Sequence, residues 1–468
     1  MSPARRGRRP RVCVVGDLLA DADIAGSADR LSPEAPVPVV DQRQVVHRAG
    51  GAGLAATMAV RGGATVTLVA AIADDEPGRR LPQLLADEFV DVCPLPWEGT
   101  TIEKVRIAAA GVPMLRLDRG EGRVAGSLAP AVAQRVTAAI TGADAVLVAD
   151  YGRGVAAHPV VRDAIAAARR AGTPVVWDPH RKGPDPVPGS SVVCPNRAEA
   201  AAYEPDVAGA TLTAEVERAR RLRARWDVGA VAVTLGSEGA VVVLGDGAPL
   251  TVPVLEPVEG TDTCGAGDAF AAATTVALAG GAVVSEAIHA AVLGAGEFVA
   301  AGGASGMQPA RRRPRTPTAS ARRAERDRRP TTLVATGGCF DILHPGHVHT
   351  LRAARCLGDR LVVLVNDDES VRRLKGPERP LQPVEDRVAV LRSLADVDDV
   401  IVFSEDTPVE ALRQLQPDVF VKGGDYTAAE IPETAVLAEW GGSVVTVPFL
   451  DGRSTTDLVT RARAGRPA

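Results

Sequence analysis

The sequence predicts an α/β protein with two open, mostly parallel sheets that follow one another along the chain. Short β-branched runs alternate with Ala- and Arg-rich helical patterns, and this alternation starts again after an interruption rich in Arg and Pro. The composition agrees, because Gly is abundant while aromatic residues make up only 3% of the 468 positions, as suits closely packed layers. We therefore expect a larger α/β domain, a linker and a smaller α/β domain.

The first domain contains seven predicted strands and four clearly patterned helices. The strands are residues 12–15, 65–72, 145–149, 174–177, 191–194, 230–234 and 240–243, and the helices are residues 130–141, 160–171, 213–226 and 268–278. The helix at 130 begins with a proline, which suits the first helical position because its missing N–H would find no partner there. Strands separated by helices predict a doubly wound parallel sheet.

The same pattern restarts after the interruption and predicts a smaller open sheet. Its strands are residues 332–335, 361–365, 399–403, 419–422 and 443–447, and its helices are residues 347–357, 384–393 and 409–414. Ligands of such sheets bind at the carboxyl ends of the strands. We therefore place a domain at 1–307, a linker at 308–330 and a second domain at 331–468. Nine arginines and several prolines in the linker favour a solvated spacer, with binding to an acidic surface or nucleic acid as the alternative.

Charge and cysteine content exclude several classes of protein. The net charge of −5 disfavours a general nucleic-acid binder, and six scattered cysteines without CxxC spacing argue against a disulfide framework or a zinc ribbon. The apolar stretch 12–15 is too short for a secretory signal, and the stretch 269–285 is too short for a membrane span. We expect a soluble, cytoplasmic protein with no membrane partner.

Lysine is rare, and its positions are therefore informative. Only Lys104, Lys182, Lys375 and Lys422 occur among 53 basic residues. A lysine retained in so arginine-rich a chain marks a place where a compact, flexible charge is needed. None of the four precedes Ser or Thr, which excludes a P-loop.

A candidate phosphoryl-transfer site lies in the DTCGAGD segment at 262–268, directly before a predicted helix. The small residues Gly265, Ala266 and Gly267 leave backbone N–H groups open at the positive end of the helix dipole, which favours an anion. A carboxylate at Asp268 would repel that anion unless it accepts a proton from an attacking hydroxyl while the N–H groups hold the transferred phosphoryl group. The alternative is that Asp268 is only a helix cap.

This segment resembles the signature of the ribokinase-like (PfkB) sugar kinases, and further segments follow in that family's order. The resemblance implies a ribokinase-like fold, with Asp268 as the base and Gly265 to Gly267 as the anion hole. It also implies sugar contacts at Asp17, Gly50 and Gly51, an NxxE element at Asn196 and Glu199 that organises Mg²⁺ indirectly through Glu199, and a nucleotide-binding turn at Thr234 and Gly236. A rival dinucleotide-binding reading of Gly51 to Ala56 is disfavoured, since the charged segment 42–48 does not resemble the buried strand it requires.

A second candidate site lies at His344-Pro345-Gly346-His347, also before a predicted helix. Two imidazoles at a strand-to-helix turn can bind zinc, and His349 is a possible third ligand, but no cysteine nearby has suitable spacing. The favoured alternative is that both histidines donate to phosphate oxygens at the helix N-terminus and stabilise charge on an α-phosphate. A plain turn without function remains a third interpretation.

The second site resembles the HxGH nucleotidylyltransferases of the cytidylyltransferase-like branch, with a Rossmann-like fold. The resemblance implies catalytic roles for His344 and His347. It implies ATP contacts at Thr336, Phe340, Lys375, Lys422, Gly423, Asp425, Ser454, Thr455 and Thr456. Two of the four lysines thus fall in motifs that face the triphosphate.

The order of the two domains resembles the family of bifunctional heptose 7-phosphate kinase/heptose 1-phosphate adenylyltransferases. The segments 30–40, 101–106, 116–118 and 150–154 are similar to those of its kinase branch. The resemblance implies ATP as substrate of both sites, Mg²⁺ as cofactor, sugar phosphates as the other substrates and a homodimer. It also implies that Lys104 and Arg106 hold the 7-phosphate.

Two departures from the family pattern affect the sugar rather than the chemistry. Leu54 stands where the family usually has Asn, which removes a partner for a sugar hydroxyl, and the segment 178–182 is longer than the family's DPK. Three alternatives therefore stay open: another sugar phosphate or CTP as substrate, a scaffold with an inactive kinase half, and a nucleic-acid binder acting through the linker.

Overall fold

The computed structural model describes residues 8–245, 247–255, 262–307, 332–424 and 431–448. The chain forms two compact units: residues 1–206, 221–232 and 258–311 make the first, and residues 207–220, 233–257 and 312–468 make the second. The expected linker at 308–330 lies outside the described residues, as do Asp425, Ser454, Thr455 and Thr456. The boundaries at 307 and 331 therefore stay a prediction.

The elements before residue 308 alternate between strands and helices. In chain order they are β1 Arg11–Gly16, β2 Leu18–Leu31, β3 Pro38–Gly51, α1 Ala52–Arg61, β4 Thr65–Ile72, α2 Glu76–Asp87, β5 Val90–Gly99, β6 Glu103–Ala109, β7 Val112–Arg119, β8 Gly122–Val124, α3 Pro130–Thr141, β9 Ala145–Ala149, α4 Pro159–Arg170, β10 Val175–Asp178, β11 Val192–Val193, α5 Arg197–Tyr203, α6 Leu212–Trp226, β12 Ala230–Thr234, β13 Ala240–Leu244, β14 Leu250–Val252, α7 Ala266–Ala279, α8 Val284–Ala300 and α9 Gly303–Gly306.

The large sheet of the first unit is parallel except at one edge. Strand β1 pairs in parallel with β4 and β9, β9 pairs with β10, and β10 pairs with β11. Beyond β4 the sheet continues with the parallel strand β5 and the antiparallel strand β8. Strands buried on both faces consist of continuous apolar runs, and every residue of β9 is buried accordingly. The aspartates Asp17, Asp150 and Asp178 stand at the carboxyl ends of three neighbouring strands and so share one edge.

A second, four-stranded sheet in the order β3-β2-β6-β7 was not predicted from the sequence. Strands β2 and β3 are antiparallel with Leu19 opposite Gly50, and β2 runs parallel to β6 with Asp21 opposite Lys104. Strand β7 is exposed along its whole length, and β3 is exposed or half-buried except at its last two residues. Because charged residues interrupt these strands, they lack the apolar runs that revealed the large sheet.

The part of the second unit after residue 331 contains five parallel strands among its described residues, with helices between them, and residues 233–257 of the unit hold β14 antiparallel to β13. After residue 331 the elements are β15 Leu333–Gly338, α10 Pro345–Cys356, β16 Arg360–Asn366, α11 Asp368–Lys375, α12 Val384–Arg392, β17 Asp399–Phe403, α13 Val409–Leu415, β18 Val419–Gly423, α14 Glu433–Ala438 and β19 Ser443–Val447. The strand order is β17-β16-β15-β18-β19. The sequence also places strand β15 directly before the HPGH turn, so this turn lies at the carboxyl edge of the sheet.

The bounds of the elements agree with most of the predictions. The structure gives the predicted limits for β4, β9, α3, β12, β17 and β19, and shifts most others by one or two residues. Helix α10 begins two residues earlier than predicted, because Pro345 takes the first helical position. The apolar stretch after residue 268 forms the largely buried helix α7, and no helix among the described residues is long and apolar enough to span a membrane.

Candidate active sites

The first site is built on the N-terminus of α7. Gly265 caps this helix with a left-handed backbone (φ 85°), and a Cβ there would lie 2.6 Å from Cδ2 of Leu54. Gly267 faces open space, since a Cβ on it would meet nothing within 4 Å. The first N–H groups of a helix have no partner inside it. The N–H of Ala266 already donates to the carbonyl of Thr263 at 3.1 Å, so the N–H groups of Gly265 and Gly267 are the ones that can turn toward a phosphoryl group in this space.

Asp268 lies in the first turn of α7 and is only 6% exposed. Its Oδ1 accepts a hydrogen bond of 2.7 Å from the hydroxyl of Tyr151. Burial raises the pKa of Asp268 to about 7, while the Tyr151 hydrogen bond and the charge of Lys104 oppose that rise. A carboxyl group whose pKa lies near neutral pH is suited to accept a proton from a hydroxyl during reaction.

Asp17 organises the loop that follows β9. Its carboxylate accepts hydrogen bonds from the backbone N–H groups of Tyr151 at 2.9 Å, Arg153 at 2.9 Å and Val155 at 3.2 Å. The side chain is almost completely buried, and burial raises its pKa although the three N–H donors oppose this. Both oxygens are thus engaged within the protein, and the predicted role of Asp17 as a sugar ligand stays a prediction.

Asp21 is a candidate sugar ligand that the sequence analysis missed. It is 6% exposed, and its Oδ1 receives no hydrogen bond from any described residue, although Nη1 of Arg106 lies 3.4 Å away. Gly50 provides the necessary space, because a Cβ there would lie 2.4 Å from Oδ2 of Asp21. The available signal was spacing, because Asp21 and Asp23 share one face of an extended strand directly after Asp17.

Two basic residues of β6 stand beside this carboxylate. Arg106 pairs with Asp21 and Asp23, and its Nη2 donates to Sγ of Cys264 at 3.2 Å, which connects β6 to the turn before α7. Nζ of Lys104 lies 5.2 Å from the centre of the Tyr151 ring. The structure therefore places Lys104 and Arg106, the predicted phosphate-binding residues, near the turn that carries Asp268.

The predicted Mg²⁺ element forms the cap of helix α5. Oδ1 of Asn196 accepts from the N–H of Glu199 and Oε2 of Glu199 accepts from the N–H of Asn196, both at 2.9 Å. The pKa of Asp178 is raised well above its usual value by burial and by the charges of Asp268, Glu199 and Asp150. A divalent cation would relieve this repulsion, so the residues fit Mg²⁺. Within the described ranges no three acidic, His or Cys side chains form a complete metal-ligand set, and Mg²⁺ commonly keeps waters and phosphate oxygens as its other ligands.

The predicted nucleotide-binding turn follows β12. Thr234 ends this strand, and Gly236 begins a short 3₁₀ turn with a left-handed backbone (φ 64°). The N–H of Leu235 donates to the carbonyl of Gly239 at 2.7 Å and closes the turn. A Cβ on Gly236 would meet nothing within 4 Å, so the turn leaves its surroundings open. Its contact with ATP stays a prediction.

The second site is built on the N-terminus of α10. His344 caps the helix, and the rings of His344 and His347 stack with their centres 3.9 Å apart. Burial lowers the pKa of both, that of His347 to about 4, where the neighbouring His344 adds to the effect. Nδ1 of each ring has no hydrogen-bond partner among the described residues. Two neutral imidazoles with free nitrogens at a helix N-terminus can donate to phosphate oxygens.

The remaining predicted ATP contacts of this site lie near the ends of its strands. Phe340 has a left-handed backbone (φ 47°) and its ring centre is 5.1 Å from that of His347. Thr336 donates its hydroxyl to the carbonyl of Val421 at 2.8 Å, and Lys422 pairs with the buried Glu433 at 3.0 Å. Lys375 ends α11, and Gly423 ends β18, where a Cβ would lie 3.0 Å from Oγ1 of Thr350.

Arg387 holds the loops around this second site, and sequence analysis missed it. Its guanidinium is completely buried and donates to the carbonyls of Cys339 at 2.6 Å, Asn366 at 2.9 Å and Gln382 at 3.0 Å, and it pairs with Asp368. These groups belong to the segments after β15, β16 and α11. The signal was its spacing, because Arg387 lies three residues after Val384 and four before Leu391, on the apolar face of α12.

Comparison with known proteins assigns a family to each part of the chain. The profile described as pfkB family carbohydrate kinase matches residues 9–311, and the profile described as cytidylyltransferase-like matches residues 335–461. The chain is 49% identical over 98% of its length to the bifunctional protein HldE of Streptomyces coelicolor, and covers 98% of that protein. It is 36% identical over 96% of its length to HldE of Caulobacter vibrioides, again covering 96% of the relative.

Solved structures support the fold of the first part. The tetrameric inhibited form of phosphofructokinase-2 from Escherichia coli matches 64% of this chain and 97% of its own, with a TM-score of 0.51 and 17% identity. The two family matches and the HldE relatives show a carbohydrate kinase followed by a nucleotidylyltransferase. The chain therefore belongs to the pfkB carbohydrate kinase family through residues 9–311 and, over nearly its whole length, to the family of the bifunctional protein HldE.

Proposed function

We propose that the chain catalyses two ATP-dependent steps of ADP-heptose synthesis. The first is phosphorylation of D-glycero-β-D-manno-heptose 7-phosphate at O1, which gives the 1,7-bisphosphate. The second is adenylyl transfer from ATP to heptose 1-phosphate, which gives ADP-heptose and pyrophosphate. The observation that carries the proposal is the buried Asp268, with a pKa near 7, close to the basic side chain of Lys104.

In the kinase site, Asp268 accepts the proton of the anomeric hydroxyl as its oxygen attacks the γ-phosphorus of ATP, and ADP leaves with the former bridging oxygen. The N–H groups of Gly265 and Gly267 donate to the transferred phosphoryl group, whose charge is spread over three oxygens, while the N–H of Ala266 holds the turn through the carbonyl of Thr263. Lys104 and Arg106 hold the 7-phosphate. Mg²⁺, when bound near Glu199 and Asp178, supplies positive charge to the phosphates of ATP.

Asp21 completes the acceptor side of this site. Its buried Oδ1 has no donor among the described residues, and a sugar hydroxyl would supply one. Gly50 leaves the space that Asp21 occupies. We therefore assign Asp21, which sequence analysis passed over, to the sugar-binding residues.

In the second site, an oxygen of the 1-phosphate attacks the α-phosphorus of ATP, and the bond to the β-phosphate oxygen breaks to release pyrophosphate. His344 and His347 donate to oxygens of the α-phosphate, where negative charge accumulates. Approach of the anionic phosphate favours the protonated imidazole and so opposes the lowering of the pKa by burial. Lys375 and the predicted turn of Ser454 to Thr456 hold the departing pyrophosphate.

The two reactions do not connect directly, because the first product carries a phosphate at O7 that the second substrate lacks. A phosphatase must hydrolyse that ester between the two steps. We infer that it is a separate enzyme. On the basis of the family resemblance, we also propose that the protein is cytoplasmic, depends on Mg²⁺ and forms a homodimer.

The proposal is tested by mass spectrometry of the products formed from heptose 7-phosphate, ATP and Mg²⁺. We expect a bisphosphate with the wild-type chain, at least 10³-fold less with Asp268→Asn, and unchanged ADP-heptose formation from heptose 1-phosphate with that variant. His344→Ala should show the reverse pattern. Loss of both activities in either folded variant would contradict two independent sites.

A different sugar phosphate, or CTP in the second site, is the second candidate function. One observation favours testing it: Leu54 is buried beside Gly265, so an apolar side chain stands where the resemblance expects an Asn that contacts a sugar hydroxyl. A panel of sugar phosphates assayed with ATP and CTP decides between the two. Faster turnover of a hexose or pentose phosphate than of the heptose would replace the first proposal.

A further inference from the structure

Tyr151 contacts the two aspartates at the kinase site through different groups. Its backbone N–H donates to Oδ2 of Asp17 at 2.9 Å, and its hydroxyl donates to Oδ1 of Asp268 at 2.7 Å. The first contact depends only on the backbone of the loop after β9, and the second depends on the phenol. A substitution that removes the hydroxyl can therefore separate the two roles.

The hydroxyl determines which oxygen of Asp268 is available. Oδ1 is engaged by Tyr151, whereas Oδ2 accepts no hydrogen bond from any residue that the structure describes. A base must present a free lone pair to the hydroxyl it deprotonates. With Oδ1 held, the carboxylate cannot rotate without breaking a bond of good length, and Oδ2 is left for the substrate.

We propose that Tyr151 is a positioning residue of the kinase reaction: its hydroxyl holds Asp268 by Oδ1 so that Oδ2 faces the acceptor hydroxyl, and it stabilises the ionised carboxylate. This inference rests on the kinase half of the proposed function and concerns no particular sugar. Tyr151 is not itself the base, because burial and the charge of Asp268 raise its own pKa well above the usual value and keep it protonated.

Besides the neutral hydroxyl of Tyr151, several ionisable groups influence the pKa of Asp268. Lys104 on β6 favours its ionised form, and Asp21 on β2 disfavours it. Asp178 at the end of β10 and Cys264 before α7 interact with its charge as well. Burial disfavours the carboxylate more than any of these, and the Tyr151 hydroxyl gives the largest opposing effect. Removal of that hydroxyl should therefore raise the pKa of Asp268 further.

The test is Tyr151→Phe, compared with Tyr203→Phe as the matched control. Tyr203 packs edge-on against Trp226 with the ring centres 5.1 Å apart and also loses one hydroxyl. The kinase is active with Asp268 ionised, so kcat/KM falls as the pH drops through its pKa. For Tyr151→Phe we expect this acid limb to move up by about one pH unit and kcat at pH 7 to fall at least about fivefold, since hydrogen bonds to charged groups are of that strength. KM for ATP and sugar should stay within about twofold.

Further measurements distinguish the role of Tyr151 from a loss of folding and from the choice of sugar. Adenylyl transfer by the same chain should be unchanged, which shows that the second unit is intact, and thermal unfolding like that of the wild type should show that the kinase unit is folded. In the Asp268→Asn background, Tyr151→Phe should cause no further loss, because the tyrosine acts through the carboxylate. The carboxyl carbon of Asp268, observed by ¹³C NMR without substrate and assigned with Asp268→Asn, should titrate at higher pH in Tyr151→Phe.

The outcomes distinguish the two proposals. If the wild type fails to phosphorylate heptose 7-phosphate, the substrate proposal fails, whereas the substrate-free titration still decides the role of Tyr151. An unchanged titration of Asp268, a rise in KM for the sugar at constant kcat, or a parallel loss of adenylyl transfer would overturn the role of Tyr151.

Discussion

Three buried aspartates at the kinase site differ in what their oxygens contact, and this determines what each can do. Asp17 accepts hydrogen bonds from three backbone N–H groups, and Asp268 accepts one from a tyrosine hydroxyl. Oδ1 of Asp21 accepts no hydrogen bond from the described residues. Full satisfaction by backbone donors is typical of a structural carboxylate. Partial satisfaction together with a raised pKa is typical of a catalytic one. The sequence alone assigned roles to Asp17 and Asp268 and none to Asp21.

This difference predicts opposite effects for Asp17→Asn and Asp21→Asn. In Asp17→Asn an amide group would face backbone N–H donors, and the kinase part should lose about 3 kcal/mol of its free energy of unfolding. Asp21→Asn leaves the three hydrogen bonds between Asp17 and the loop after β9 in place, so the free energy of unfolding should change by less than about 1 kcal/mol. The KM for the sugar phosphate should rise at least about tenfold. Thermal unfolding followed with steady-state kinetics checks both. A stable Asp17 variant with a raised KM would exchange the two assignments.

At the scale of elements, both sites use the N-terminus of a helix. Helix α7 begins after Gly265 in a left-handed conformation, and α10 begins with His344 and Pro345. The glycine turn allows N–H groups to approach a phosphoryl group closely, and the histidine cap adds donors of its own. The same anion-binding geometry thus serves attack at γ-phosphorus in one site and at α-phosphorus in the other.

Gly265→Ala and Gly267→Ala should separate helix geometry from access to the anion site. An alanine at position 265 would have to adopt a φ of 85°, and its Cβ would lie 2.6 Å from Cδ2 of Leu54. The free energy of unfolding should therefore fall by about 1–3 kcal/mol. At Gly267 the backbone is helical and the surroundings are open, so stability should stay equal or rise by up to about 1 kcal/mol. Both variants should phosphorylate sugar at least about tenfold more slowly. Unfolding curves and kinase assays measure this, and a fully active Gly267→Ala would exclude that turn from phosphoryl binding.

At the scale of the molecule, the chain joins two reactions whose intermediates must pass through a separate phosphatase. Asp268 lies in the first compact unit and His344 in the second. Because the phosphatase must reach the bisphosphate, we expect that intermediate to leave the kinase site. The two activities can then reside on separate polypeptide chains in the same solution.

Mixing the two inactive variants should therefore restore the complete sequence of reactions. Asp268→Asn and His344→Ala, supplied together with ATP, heptose 7-phosphate and a phosphatase, should form ADP-heptose at roughly half the wild-type rate per total protein, since each contributes one intact site. Each variant alone should form at least about 100-fold less. Chromatography of the nucleotide sugar follows the product. Failure of the mixture would indicate that the intermediates are transferred within one chain.

The sequence by itself predicted the two parallel sheets and the helices that follow the glycine turn and the HPGH segment, because apolar runs and small-residue turns act locally, while the catalytic roles of Asp268 and His347 stay predictions. Only the tertiary structure revealed the four-stranded sheet, with Asp21 beside Arg106, and the hydroxyl of Tyr151 on Asp268 117 residues away. It also showed the buried Arg387 joining three loops. These features depend on burial and on contacts between distant segments, and burial is what moves the pKa of Asp268 toward the value its reaction needs.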